Sequence, residues 1–392
     1  MSFFAVTRTL WLIAHVYVGW RLLHRSRLAR PWNIVAGVLL GSLLMLGPAA
    51  MALGRVPEKP DWMGLVQWAG YLYVGFFLML LPAVILADFG WGVAAAIRKL
   101  RDQGVPEESG PPELPSRRLA LVRSVNVGVI AASAIVTGSG FHAARRRPDV
   151  VEVDIPLPGL HEDLDGFRIV LLTDIHVGPT IRAPFTETVA EVTDSLKPDL
   201  VANTGDLIDG HVNQLRDHVA PLGRITARHG LYYVTGNHEY YWDAPGWVRE
   251  MERIGYDPLI NEHRVIVHGR AKLTVAGATD HSASHRYPPH LTDPAKALEG
   301  APEDSFKLML AHQPRSAFAA AGAGAQLQLS GHTHGGQFIP WTFLITLFQP
   351  VGAGLHRIDG MPIYVSRGTG YWGPPNRAGS PSEITLITLR KT

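Results

Sequence analysis

An α/β domain placed behind a set of membrane-spanning helices is the fold class this sequence predicts, on three observations. Long uncharged apolar runs crowd the first part of the chain. Short apolar runs alternate with helix-like stretches in the rest, and several end in polar residues suited to metals. Charge divides at the same place. Residues 1–148 carry 16 Lys+Arg against 7 Asp+Glu, whereas 149–392 carry 20 against 27 together with 15 of the 18 His. A basic, apolar part joined to an acidic, His-rich part reads as two modules in different solvents, and the acidic one offers no nucleic-acid-binding surface. The 392 residues allow two or three domains, and a 46% apolar share argues against disorder. With no Cys at all, a disulfide scaffold, a thiolate-held cluster, a Cys nucleophile and a Cys zinc site are all excluded.

In chain order, a transmembrane region over 1–145 comes first. Spans are expected at Phe3–Leu23, broken by Arg8 and His15, at Ile34–Leu53 and at Trp62–Ala87, the last two without any charge. A fourth, over Leu119–Phe141, is more dilute, and a non-spanning helix competes with it. Positive charge marks the cytoplasmic side. Arg21, Arg25, Arg27 and Arg30 lie in the first connection, and Arg98, Lys99, Arg101, Arg117 and Arg118 in the third. The second has only Arg55 and Lys59, offset by Glu58 and Asp61. Connections one and three inside place both termini, and the C-terminal module, on the extracytoplasmic side. Arg145–Arg147 after the fourth span argue the other way but are fewer. Ser116-Arg117-Arg118-Leu119 resembles an internal twin-arginine export signal, with interfacial anchoring as the equal alternative. Asp102–Pro115 reads as a flexible loop, and 145–158 as the boundary into the second module, which spans 149–392.

The second module has apolar runs at Phe167–Leu172, Asp199–Thr204, Gly230–Thr235, Lys307–Ala311 and Gln326–Leu329. They read as buried strands, with helices expected over Ala183–Leu196 and Val212–Arg228. The runs lead into Thr173-Asp174-Ile175-His176, Gly205-Asp206, Gly236-Asn237-His238-Glu239, His312 and Gly331-His332-Thr333-His334. Sites in such domains lie at the carboxyl ends of strands. Residues two apart on a strand share a side, so Asp174 with His176, and His332 with His334, are expected to aim at one ion. Gly205, Gly236 and Gly331 are expected to permit the turns. Carboxylate, imidazole and amide oxygens suit Mn, Fe, Zn or Ni better than Ca or Cu(I). Seven such ligands exceed one site and suffice for two that share a carboxylate.

This ordered set of motifs resembles the calcineurin-like metallophosphoesterase superfamily over about Phe167–His334. Gly331–Gln337, Tyr364–Gly368 and Pro381-Ser382-Glu383-Ile384 are similar to its bacterial membrane-anchored branch. The resemblance implies a two-sheet α/β sandwich. It also implies two divalent metals, one on Asp174, His176, Asp206 and His334, the other on Asp206, Asn237, His312 and His332. His238 would be the catalytic non-ligand, stabilising phosphoryl charge and protonating the leaving oxygen. The implied reaction is hydrolysis of a phosphodiester, phosphomonoester or pyrophosphate by a metal-bridging hydroxide. The branch includes enzymes acting on nucleotide-linked glycolipids, so a lipid-linked or nucleotide substrate is in view. A membrane sensor or transporter whose metal domain binds without hydrolysing is the alternative.

Several residues have two readings. Asp209 is expected to cap a helix before it supports a ligand. Glu239 either orients a ligand or is solvated. Asp280, His281, His285 and His290 lie in a polar loop, exposed by default and a lid otherwise. Arg367 and Arg377 could bind phosphate or pair at the surface. The apolar run Ile339–Phe348 is expected to be a buried helix or strand, with a bilayer-dipping surface as the alternative. The sequence carries no signal for oligomeric state.

Overall fold

The computed structural model describes residues 3–56, 60–101 and 115–392. It divides into two units, Met1–Ser139 and Gly140–Thr392. The expected loop at Asp102–Pro115, and Glu58 and Lys59 of the second connection, fall almost wholly outside the described residues.

The first unit is helical: α1 (Phe3–Ser26), α2 (Arg30–Leu53), α3 (Asp61–Arg101) and α4 (Pro115–Arg145), whose last turns belong to the second unit. Among the described residues, three helices rather than four are long and apolar enough to cross a membrane: Arg30–Leu53, Trp62–Arg101 and Arg117–Arg145. The expected first span forms a helix but falls short in apolar character. Arg8, His15 and Arg21 dilute it, and two of these are turned inward. Arg21 is buried, pairs with Asp88 and donates to Asn126 Oδ1 at 2.8 Å. His15 Nε2 lies 2.7 Å from Tyr73 Oη. Helix α3 outruns its predicted span, so Arg98, Lys99 and Arg101 sit in its last turn rather than in a loop. Gly70 makes the α2–α3 contact possible, since a Cβ there would lie 2.4 Å from that of Ala50.

The second unit contains twelve strands and eight further helices among its described residues. In chain order they are β1 (Asp149–Leu157), β2 (Arg168–Leu172), α5 (Ala183–Ser195), β3 (Leu200–Asn203), α6 (Val212–Val219), β4 (Leu231–Tyr233), α7 (Asn237–Trp242) and α8 (Ala244–Arg253). There follow β5 (Tyr256–Pro258), β6 (Glu262–His268), β7 (Ala271–Ala278), α9 (Ala283–Arg286), α10 (Pro294–Leu298) and β8 (Ser305–Ala311). The last are α11 (Ala317–Gly322), β9 (Leu327–Ser330), α12 (Trp341–Leu344), β10 (Gly354–Ile358), β11 (Met361–Val365) and β12 (Glu383–Lys391). Two six-stranded sheets result, ordered β1-β12-β2-β3-β4-β5 and β10-β11-β9-β8-β7-β6.

Strand periodicity explains the layering. In β2, Ile169 and Leu171 face the core between the sheets, whereas Val170 and Leu172 face the helices outside the first sheet. In β8, Leu308 and Leu310 point between the sheets, and Met309 and Ala311 point to the opposite outer layer. Both faces of each central strand are therefore buried, which is why they read as unbroken apolar runs. Helix α6 stops at Val219, and a 3₁₀ turn over Ala220–Arg224 replaces the expected continuation to Arg228. Pro221 lacks the N–H that an α-helix interior needs. Strands β2, β3 and β4 run parallel, as do β7, β8 and β9, so their carboxyl ends gather the motif loops.

Candidate metal centre

Five loops deliver the motif residues to one place. Strand β2 ends at Leu172 and β9 at Ser330, so Asp174, His176, His332 and His334 are not strand residues as expected. Each takes a left-handed backbone conformation instead, with φ of 53°, 54°, 72° and 51°, and Asp206 does the same at 50°. Such φ values are costly for non-glycine residues and recur at functional sites. Of the three glycines, only Gly205 is needed for positive φ, at 90°. Gly236 and Gly331 are needed for close approach. A Cβ on Gly236 would lie 2.2 Å from Asp206 Oδ1, and one on Gly331 would lie 2.1 Å from Asp174 Oδ2.

The side chains converge in two linked groups. In the first, His334 Nε2 lies 3.3 Å from Asp174 Oδ1 and 3.1 Å from His176 Nε2. In the second, His312 Nε2 lies 3.2 Å from Asp206 Oδ2, from Asn237 Oδ1 and from His332 Nδ1. Asp206 Oδ2 joins the groups, at 3.8 Å from His176 Nε2 and from His238 Nε2. All eight residues are buried or nearly so.

The outer ring nitrogens show what these donors suit. His312 Nδ1 donates to the Thr204 carbonyl at 2.8 Å, and His176 Nδ1 donates to Asp209 Oδ2 at 3.1 Å. Both rings therefore direct Nε2 toward the carboxylates, the orientation that metal-ligating histidines adopt. With the anionic oxygens of Asp174 and Asp206 and the amide of Asn237, the set fits divalent cations. His334 differs. Its Nδ1 lies 2.9 Å from Arg377 Nη2, a group that can only donate, which orders the ring proton on Nε2. Cation binding there requires the guanidinium to relinquish Nδ1 and keep the carbonyls it already holds, those of Gly370, Arg367 and His334.

Electrostatics follow from burial. Burial lowers His312, but Asp206 outweighs it and raises the group to about 10. His238 is likewise disfavoured by burial and raised by Asp206 and Asp209, to about 9. Burial and the cationic neighbour His312 push His332 down to about 3. Burial raises Asp174. It works against the Asp209 charge too, yet His238 and His176 hold that carboxyl well below its usual range.

Residues outside the ligand set have sharper roles than the sequence suggested. Asp209 accepts from His176 Nδ1 and, at 2.5 Å, from His238 Nδ1. It holds two rings rather than capping a helix, and α6 begins only after His211. Glu239 is fully buried, which removes the solvated reading. It accepts from Asp206 N at 3.1 Å, Leu207 N at 2.8 Å and Gly236 N at 2.6 Å, tying two motif loops together. Arg377 is buried among carbonyls, and half-exposed Arg367 lies 3.5 Å from Glu383. Asp280 is buried and accepts from Gln313 at 2.8 Å. His281 approaches Ser316 Oγ at 3.3 Å, and His290 meets Tyr240 Oη at 3.0 Å. The side chain of His285 lies outside the described residues. Tyr241 and Trp372, which no sequence signal marked, flank His238 with ring centroids at 5.0 and 5.5 Å.

A buried acid–imidazole–amide cluster at the strand ends of a double-sheet sandwich is the site of a metal-dependent hydrolase. The model of the calcineurin-like phosphoesterase family matches residues 167–336. A transmembrane protein with metallophosphoesterase domain from Danio rerio is 33% identical, over all of this chain and 90% of that protein. One of the same description from Bos taurus is 37% identical, over 70% of this chain and 64% of that protein. An uncharacterized metallophosphoesterase of Helicobacter pylori strain J99 is 34% identical, over 70% of this chain and 73% of that protein. The chain belongs to the calcineurin-like phosphoesterase family and is a metal-dependent phosphoesterase with helices able to span a membrane.

Proposed function

We propose that this chain hydrolyses phosphodiester, phosphomonoester or pyrophosphate bonds with two divalent cations, of Mn, Fe, Zn or Ni. Asp174, His176, Asp206 and His334 hold one; Asp206, Asn237, His312 and His332 hold the other. The supporting observation is the inward convergence of these donors, with His176 and His312 fixed from behind by Asp209 and the Thr204 carbonyl. When bound, the cations supply a water of lowered pKa and polarise the phosphoryl oxygens. The chain's own residues do the rest. Asp209 fixes the His238 ring through Nδ1, leaving the Nε2 proton directed toward the shared Asp206 oxygen, where a phosphoryl group would sit. His238 stabilises charge gathering on that group and gives its proton to the leaving oxygen, an acid role worth about 10²–10⁴-fold. Tyr241 and Trp372 bound the approach to His238.

The module organisation follows the same reading, with a multi-pass region over 1–145 and the catalytic domain over 149–392. Three spans preserve the expected outside placement of the hydrolase. With Arg25, Arg27 and Arg30 inside, α2 leads out, α3 returns to Arg98, Lys99 and Arg101, and α4 leads out again. The substrate in this reading is a lipid-linked or nucleotide phosphoester.

The test is manganese-dependent turnover of bis-p-nitrophenyl phosphate by the full chain. His238→Ala should lower kcat by about 10²–10⁴-fold with metal content retained. Asn237→Ala should lower metal content as well. Unchanged turnover in either variant would contradict the assignment.

A further inference from the structure

The run from Ile339 to Phe348 is not the buried element its sequence suggested. Helix α12 and the 3₁₀ turn after it (Ile345–Leu347) bury none of their residues. Phe343 is 74% exposed, Leu347 75% and Phe348 69%, with Trp341 at 41% beside them. Phe343 and Leu347 are four apart and Phe348 follows, so one short projection presents a cluster of large apolar side chains. A water-facing surface seldom carries such a cluster without a partner.

Three observations choose the partner. The first is charge. No Asp or Glu occurs between Asp304 and Asp359, and no Lys or Arg between Arg315 and Arg357. The cation at the foot of the projection is exposed Arg315, whose Nη2 lies 3.5 Å from the Phe348 carbonyl. An apolar tip with a basic foot and no carboxylate in its own segment complements a bilayer with anionic headgroups. The second is connectivity. Only Arg146, Arg147 and Pro148 separate α4, long and apolar enough to span, from β1. The third is the root of the projection. Ile339 N donates to the Ala378 carbonyl at 2.9 Å, while the adjacent Arg377 N donates to the Gly140 carbonyl of α4, also at 2.9 Å. The projection and the last turns of a candidate membrane helix are thus held by consecutive residues.

We infer that the Trp341–Phe348 projection inserts into the interfacial layer of the bilayer that anchors the chain. The inference rests on the membrane attachment in the proposed function and adds a lipid-contact surface on the catalytic unit. It carries a consequence for the site. Gln337, at the base of the projection, accepts from Trp372 N and donates to its carbonyl, both at 2.9 Å. Trp372 is one of the two residues whose rings flank His238. Insertion would hold the His238 side of the site at headgroup level.

The absence of Cys makes the test clean. Full-length Leu347→Cys and, as a control at an exposed position of α5, Glu187→Cys are labelled with an environment-sensitive fluorophore. Each is reconstituted in vesicles of phosphatidylcholine and phosphatidylglycerol containing nitroxide-labelled lipid. The expected result is blue-shifted emission and strong quenching at 347 and neither at 187. Equal, water-like emission at both sites would overturn the inference. So would concentration-dependent self-quenching at 347 without nitroxide quenching, which would assign the projection to a second copy. Turnover of bis-p-nitrophenyl phosphate by the same proteins separates the two readings. Quenching without turnover would defeat the hydrolase reading alone, and turnover without quenching would defeat the insertion alone.

Discussion

Asp209 does the work of two supports with one carboxylate. One oxygen holds His176, a proposed ligand, and the other holds His238, the proposed acid. Losing either orientation lets the ring turn its proton the wrong way. Asp209→Asn keeps the shape but can orient only one ring properly with its single carbonyl oxygen. The expected outcome is a fall in metal affinity of about 10–100-fold and a fall in kcat that saturating metal does not restore. Metal titrations beside kinetics check this; full recovery at high metal would assign Asp209 to His176 alone. Gly236 gives a second expectation. A methyl group there collides with Asp206, so Gly236→Ala should lose metal and activity while the far-ultraviolet circular dichroism keeps its native form. Neither role was legible in advance. Asp209 looked like a helix cap because it follows a Gly-Asp turn, and only the fold brings residues 176 and 238 to its two sides. Gly236 was read as a turn former, whereas its φ is ordinary and the constraint is steric.

The elements around the site succeed or fail as predictions according to how local their causes are. Strands β2, β3, β8 and β9 were readable because strands buried on both faces must be apolar throughout. Pro221 ends α6 at Val219, short of the Arg228 its pattern predicts. The 339–348 run was misplaced because composition cannot distinguish an apolar segment that finds the core from one that projects away from it. Helix α8 offers an element-scale test. Its Glu250 carboxylate is buried and accepts from Arg253 Nη2 at 2.6 Å and Nε at 2.9 Å, and from Arg216 of α6 at 3.1 Å. The Arg253 hydrogen bonds chiefly hold its pKa below the ordinary 4.5. A lowered folded pKa means the stabilisation is present above about pH 4.5 and is lost as pH falls through the folded value. Glu250→Gln should therefore lower Tm at pH 7 by an amount worth about 0.5–1 kcal/mol, since both arginines are half-exposed. The difference should vanish near pH 2. An equal loss at both pH values would mean that packing, not charge, is at stake.

At the scale of the molecule, the convergence of the candidate donors was the most legible feature of the sequence. Each candidate donor lies just beyond a short apolar run, and five such runs in order leave few alternatives. The membrane region was read less well. Arg8, His15 and Arg21 dilute the first expected span, so among the described residues three helices rather than four are apolar enough to cross a membrane. What joins the scales is a cluster of buried carboxylates and imidazoles that converge on one place.

Metal content measured by elemental analysis on the purified full-length protein tests that cluster most directly. The account predicts about two divalent metal atoms per chain at saturation, about one after Asn237→Ala, and a loss of both after Asp206→Asn. Saturation at a single atom in the parent protein, or an Asp206→Asn protein that retains both, would contradict it.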